Sequence, residues 1–263
     1  MAGRLFLERA KAILASVEGA VGEAREASAG RIGTIAIGFE PGAGYLGCLS
    51  TIIAKLGKRQ PRVSVKLLPM IGTEQWDALR LGEIALAYGN EFPDDPSLQS
   101  VVLSRTRIGI RLPKAHRLAQ KPKLKVADLA HESILMGPRR LRPRLYDDII
   151  AAVRAHGVVL NLAPEVGDGE AVWTLVSSGL GVTFAAESGA RFLDAGGASA
   201  GPQRLGSAVW RPLSDLGVEL CDIAVWRADA ARSPLFGPLI EIASELGTQR
   251  EKKAAPSRKA RSR

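Results

Sequence analysis

Four guanidiniums fall within six residues in Gly137-Pro138-Arg139-Arg140-Leu141-Arg142-Pro143-Arg144, directly ahead of Leu145-Tyr146-Asp147-Asp148-Ile149, which reads as a helix start. Positive charge there meets the positive end of the helix dipole, so an anion alongside relieves the repulsion and accepts charge-assisted hydrogen bonds. A solvated basic loop explains the same residues with no ligand. Two further loops place polar groups where a strand gives way to a helix. Phe39-Glu40-Pro41-Gly42-Ala43-Gly44 is glycine-rich but has neither the Lys-Ser/Thr ending of a phosphate loop nor dinucleotide spacing. Its Glu40 carboxylate would repel an acid. In Met70-Ile71-Gly72-Thr73 the hydroxyl is placed either to cap a helix or to meet a ligand.

Other chemistries have little support. His116, His131 and His156 sit on separate predicted elements with no metal-ligand spacing. Asp147 and Asp148 are neighbours on a helix and so point to different faces. Cys48 and Cys221 are too few for a disulfide scaffold and read as structural thiols. The expectation is a chain that is not an enzyme and needs no cofactor or metal.

The elements that would position the three loops follow from periodicity. Residues 3 to 28 read as one helix without proline. Phe6, Ala10, Ile13, Val17, Ala20, Ala24 and Ala27 recur at spacings of four and three, with Leu7, Leu14 and Val21 beside them. Such a stripe calls for a partner, most simply its copy in another subunit; the alternative is that the helix folds back on its own domain. From Gly30 onward strands and helices alternate: strands near 32–37, 63–68 and 84–88, with helices at 44–59 and 74–82 between them. That β-α-β-α-β order implies parallel strands with right-handed crossovers. A second unit runs from Ile108 to about Leu193, with strands near 133–136 and 181–185 and helices near 142–156 and 168–178. A strand at 217–227 and a helix at 235–246 then return to the first. In open sheets of this kind, ligands sit beyond the carboxyl ends of the strands.

The chain has 263 residues, 46% of them hydrophobic, and a net charge of +9. Residues 250 to 263 hold seven basic residues against one acidic, so +6 of that charge lies in a stretch with no apolar periodicity, expected to be a disordered tail. The body then carries +3, too little to argue for nucleic acid by itself. No apolar run reaches the roughly eighteen residues of a membrane span, and charges interrupt the N-terminal stretch, so a cytoplasmic location is expected.

The segment Leu112-Pro113-Lys114-Ala115-His116-Arg117-Leu118-Ala119, followed by Asp128-Leu129 and Ser133-Ile134-Leu135-Met136, resembles the start of the second lobe in LysR-type transcriptional regulators. Gly30-Arg31-Ile32-Gly33, Pro61-Arg62-Val63-Ser64-Val65, Gly179-Leu180-Gly181-Val182 and Ser233-Pro234 agree in order. Gly72-Thr73, Gln75, Ala78-Leu79 and the Arg142-Pro143 step are similar to the subgroup that senses aromatic-degradation intermediates such as muconates. The similarity does not extend to Gly42, Ala85 and Ala186, so muconate is not carried over.

The resemblance implies an α/β fold of two Rossmann-like lobes in the type 2 periplasmic-binding-protein arrangement, preceded by a long linker helix. The expected organisation is a linker helix at 1–29, a first lobe from 30–104 and 212–248, a second lobe at 105–211 and a basic tail at 249–263. Two crossover strands, near 103–107 and 205–212, join the lobes. The implied function is sensing a small effector, expected to be an anion by the arginines above, in the cleft between the lobes. Effector-binding residues are then Glu40, Gly42, Ala43, Gly72, Thr73, Pro138, Arg139, Arg142 and Gly167. Phe6, Ala10, Ile13 and Val17 would join subunits into a dimer or tetramer. DNA would be met only through a winged-helix domain that this chain lacks. A solute-binding protein of the same fold, or a truncated modulator of full-length regulators, are the alternatives.

Overall fold

Helix α1 (Ala2–Ser28) leaves the rest of the molecule with none of its residues buried. Phe6, Ile13, Leu14, Val17 and Val21 remain exposed along it, with Ala10 half-exposed in the same row, so it does not fold back on its own domain. Its base is tied by Glu26, which pairs with Arg31 and with Arg62 at 3.3 Å. The chain then turns at Gly30, whose φ of +68° suits glycine. A Cβ there would come within 2.3–2.5 Å of the Pro234–Leu235 backbone. The protein is described by a computed structural model over residues 1–41, 43, 47–163, 166–167, 169–194 and 208–254.

Strands β1 (Gly33–Phe39), β2 (Val63–Pro69) and β3 (Leu86–Gly89) are parallel, with helix α2 (Cys48–Arg59) between the first two and α3 (Gly72–Leu81) between the second and third. This is the expected β-α-β-α-β unit. Ile35, Ile37, Ile52, Leu56 and Leu86 fill its core, as the apolar face of α2 and the β-branched residues of β1 require.

Strand β4 (Leu98–Pro113) is sixteen residues long and serves both lobes. Its first part pairs antiparallel with β9 (Glu219–Arg227), from Leu98 opposite Arg227 to Arg107 opposite Glu219, with an irregularity between Val102 and Ser104. Its second part pairs with β7 (Thr183–Ala186) and β8 (Ala208–Pro212). The first passage between lobes therefore lies where expected. The second does not: residues 208–212 lie beside Gly109–Pro113 within the second lobe, and the chain returns through Glu219–Asp222. Ala208-Val209-Trp210-Arg211-Pro212 reads as a strand from its pattern, but its pairing partner is not visible in that pattern.

The second lobe adds β5 (Ser133–Ile134), α4 (Pro143–Ala155), β6 (Asn161–Leu162), α5 (Gly169–Ser177) and α6 (Glu187–Asp194) around Ile110, Leu112, Leu124, Leu129 and Val153. His116 is architectural, accepting from Leu118 N–H at 3.3 Å through Nδ1 and meeting Glu132 at 3.1 Å through Nε2. Helix α7 (Gly237–Ala254) closes the first lobe with Leu239, Ile240, Ala243 and Leu246. It continues past the expected end at 246, through Gly247 and Thr248 into Gln249-Arg250-Glu251-Lys252-Lys253-Ala254, a run of good helix formers. Residues 255–263 of the expected tail lie outside the described residues. No helix among the described residues is long and apolar enough to cross a membrane.

Gly109 is where β4 is clamped between β7 and β8. A Cβ there would stand 2.4 Å from Arg211 O and 2.5 Å from the Trp210 ring. Gly109→Ala should destabilise the chain by about 1–3 kcal/mol in urea unfolding. An unchanged midpoint would contradict that packing.

Candidate functional site between the lobes

Glu40 follows β1, and its N–H donates to Tyr88 O at 2.9 Å, which fixes the loop against the end of β3. The carboxylate turns inward and is only 3% exposed. Gly89 makes room for it, and Gly72 lies alongside. A Cβ at Gly89 would lie 3.1–3.2 Å from its Cγ, Cδ and Oε2, and one at Gly72 would lie 3.6 Å from Oε1. Oε2 accepts from Asn90 N–H at 3.1 Å, while Oε1 has no hydrogen-bond partner among the described residues. Burial raises the Glu40 pKa, opposed by the Arg142 charge and the Asn90 bond; Glu91 and Asp222 add repulsion.

Asn90 also reaches the passage between lobes. Its Nδ2 donates to Asp222 Oδ1 at 2.9 Å and to Cys221 O at 3.0 Å, and Ser104 Oγ donates to Asp222 Oδ2 at 2.6 Å. Glu40, Asn90, Asp222 and Ser104 thus form one buried network joining the first loop to β9 and β4. Burial pushes Asp222 up to about 6, against hydrogen bonds from Ser104, Asn90 and Tyr88 and the Arg142 charge.

The second lobe supplies the opposite wall. Arg142 precedes α4, which begins with Pro143 as first-turn geometry favours. Its Nη2 donates across the cleft to Pro41 O at 3.2 Å. Arg144 crosses as well, with its N–H 3.3 Å from Glu91 Oε1 and its guanidinium 5.6 Å from the Phe92 ring centre. Arg139 does not: it turns outward to pair with Asp147. Arg140 is exposed. The four arginines therefore separate into two that bridge the lobes and two that face solvent.

Between these walls lies a cavity of about 590 Å³, within the range of small-molecule sites. Ile71, Met136, Leu145, Ile149, Trp173 and Phe184 make it mainly apolar, and Glu40, Asn90, Arg142, Tyr146 and Thr183 place polar groups in its wall. Of the residues expected from sequence, Glu40, Ala43, Pro138, Arg142 and Gly167 line it. Gly42 lies outside the described residues. Gly72 sits beneath the Glu40 carboxylate and not in the wall. Thr73 is exposed, lines nothing and does not cap α3. It is the second residue of that helix, where Glu74 Oε2 accepts from Ile71 N–H at 3.0 Å instead.

Asn90, Trp173 and Phe184 escaped the sequence reading. An aromatic in an apolar run of a helix or strand looks like core, and the one signal for Asn90 is its place just after β3. Among the described residues no cluster of His, Cys, Asp and Glu could hold a metal ion. Gly197-Ala198-Ser199-Ala200-Gly201 has the spacing of a nucleophile elbow, but it follows helix α6, not a strand, and lies outside the described residues.

The Asp222 shift has a definite sign. A carboxyl whose pKa rises on folding keeps its proton longer in the folded chain, so stability falls as pH climbs through the interval between the two values. From 3.8 to about 6 this corresponds to about 3 kcal/mol. In urea unfolding, Asp222→Asn should gain about that much relative to the wild type between about pH 4 and pH 7. A difference that stays constant with pH would contradict a buried Asp222 charge.

The family model described as LysR substrate binding domain matches residues 28–247. The transcriptional regulator CatR of Pseudomonas putida is 30% identical over 183 residues, which is 70% of this chain and 62% of CatR. TfdS of Cupriavidus pinatubonensis (strain JMP 134 / LMG 1197) is 32% identical over 185 residues, 70% of this chain and 62% of TfdS. The chain thus spans about three fifths of the length of the curated relatives it matches. Among solved structures, the LysR family transcriptional regulator CbnR superposes with a TM-score of 0.73 at 20% identity, over 92% of this chain and 80% of that one. The BenM effector binding domain with its effector benzoate gives 0.68 at 22% identity, over 83% and 93%. At such identities the likeness is one of fold, the two-lobed type 2 periplasmic-binding-protein arrangement. With more than half of its residues matched by the family model, the chain belongs to the LysR substrate binding domain family.

Proposed function

We propose that this chain is the effector-sensing and oligomerisation part of a LysR-type transcriptional regulator. A small, at least partly anionic organic molecule enters the cleft, is held at Arg142, and biases how the lobes sit; α1 carries the change to a partner subunit. The observation that supports this most is Arg142 itself. It crosses from one lobe to the other at the wall of a mainly apolar cavity, and its one described hydrogen bond is to the neutral Pro41 carbonyl. A carboxylate there would gain charge-assisted bonds of about 1.5–3 kcal/mol each. The relatives are regulators and not enzymes, which favours sensing over solute transport by the same fold. In this reading DNA is contacted by a separate winged-helix domain. BenM holds benzoate, an aromatic acid, in its effector binding domain, which supports an acid of that size class.

Thermal denaturation with a panel of aromatic acids, dicarboxylates and amines tests the ligand class. An acid present at about a hundred times its Kd should add about 2.7 kcal/mol and raise the melting temperature by about 5–10 °C. Arg142→Ala should remove the shift, whereas Arg139→Ala should retain it. Stabilisation by amines alone would sink the anion reading.

The exposed stripe on α1 predicts self-association, because water would otherwise meet Phe6, Ile13 and Val17. Light scattering of the full chain should give a dimer or tetramer, and removal of residues 1–28 should lower the assembly. A monodisperse monomer for the full chain would contradict it.

A further inference from the structure

We propose that the effector is zwitterionic, an organic acid that also bears an ammonium group, with its carboxylate at Arg142, its ammonium at Glu40 Oε1 and an apolar or aromatic body along Trp173 and Phe184. This rests on the effector-sensing reading above and adds the chemical class of the ligand.

Glu40 carries the argument. It is 3% exposed, lines the cavity, and has one carboxylate oxygen satisfied by Asn90 N–H while the other has no hydrogen-bond partner among the described residues. Buried polar atoms are nearly always paired, so an orphaned oxygen on a buried carboxylate whose residue lines the cavity marks where a donor belongs. The position is built, since Gly89 leaves the space that the carboxylate occupies. Arg142 lines the same cavity, and its one side-chain hydrogen bond among the described residues is to the carbonyl of Pro41, the residue next to Glu40. The two opposite charges therefore flank one space without forming an ion pair with each other.

Simpler ligands leave one of them unmet. A plain acid would satisfy Arg142 but bring a second negative charge towards Glu40, whose Oε1 would still lack a donor. A plain amine would satisfy Glu40 and leave the guanidinium facing an apolar wall. An ammonium and a carboxylate on one short backbone meet both. Trp173, Phe184 and Leu145 offer contact for a bulky apolar side chain, and a volume of about 590 Å³ accommodates one.

The test uses the full chain with L-phenylalanine, L-tryptophan and L-leucine, each beside its desamino acid and its decarboxylated amine, in calorimetric titration. At least one amino acid should bind about tenfold or more tightly than both of its counterparts, the size expected for losing a hydrogen bond to a charged group. Glu40→Gln should remove the preference over the desamino acid, and Arg142→Ala the preference over the amine. The wild-type comparison needs no variant to fold. Desamino acids binding as tightly as the amino acids, with Glu40→Gln neutral or favourable, would overturn the zwitterion and leave the acid-sensing reading standing. That outcome is expected if Glu40 is protonated and donates to the ligand. Binding by none of the nine compounds would overturn the zwitterion, and the panel of aromatic acids and dicarboxylates would then decide the broader reading.

Discussion

Asn90 holds two buried carboxylates at once, and the geometry of the cleft depends on it. Its backbone N–H fixes Glu40 and its side chain fixes Asp222, which Ser104 meets from β4. Both carboxylates are taken out of water with few donors, and burial raises both pKa values. Ser104 directly follows the irregularity in the β4 to β9 ladder. The polar network therefore lies where the two strands pass between lobes, and Glu40 is linked to it through a single residue, Asn90. A chain of this kind is worth more than its separate bonds and is costly when partly satisfied.

The lobes themselves are not independent bodies. Strand β4 runs without interruption through both sheets, paired with β9 in one and with β7 and β8 in the other. Each lobe has its own apolar core, so relative movement is confined to the passages and to the contacts across the cavity. Among the described residues those contacts include Arg142 to Pro41, Arg144 to Glu91 and the Arg144 guanidinium over the Phe92 ring. A ligand that competes for or reinforces them acts on weak, solvent-adjacent bonds and leaves both cores undisturbed. That is the condition under which a small molecule can shift a domain equilibrium by its differential contacts.

Most of the framework was legible in the sequence because it rests on periodicity. The alternation in Val63–Leu68 and the apolar face of the helix ending at Arg59 correspond to β2 and α2. The cleft was only partly legible. Arg142 and Glu40 stood out by charge in loops at the ends of strands, but Arg139 carries the same signal and instead pairs with Asp147 on the next helix turns. Asp222 and Asn90 were invisible because a polar residue in or after a strand ordinarily faces solvent, and only the assembled sheet shows both turned inward. Trp173 and Phe184 read as core because each sits in an apolar run of its helix or strand. The return passage was misplaced because β8 and β9 look alike as patterns, and their partners on β4 are set by tertiary register.

The central claim is that one ligand touches both lobes and is felt at the passage between them. Amide hydrogen exchange, measured with and without an acid that raises the melting temperature, addresses it directly. Protection should rise together at the loop following β1, at the turn and first residues of α4, and at Asn90 and Ser104, with β2 unchanged. Protection confined to one lobe, or to α1, would contradict the account.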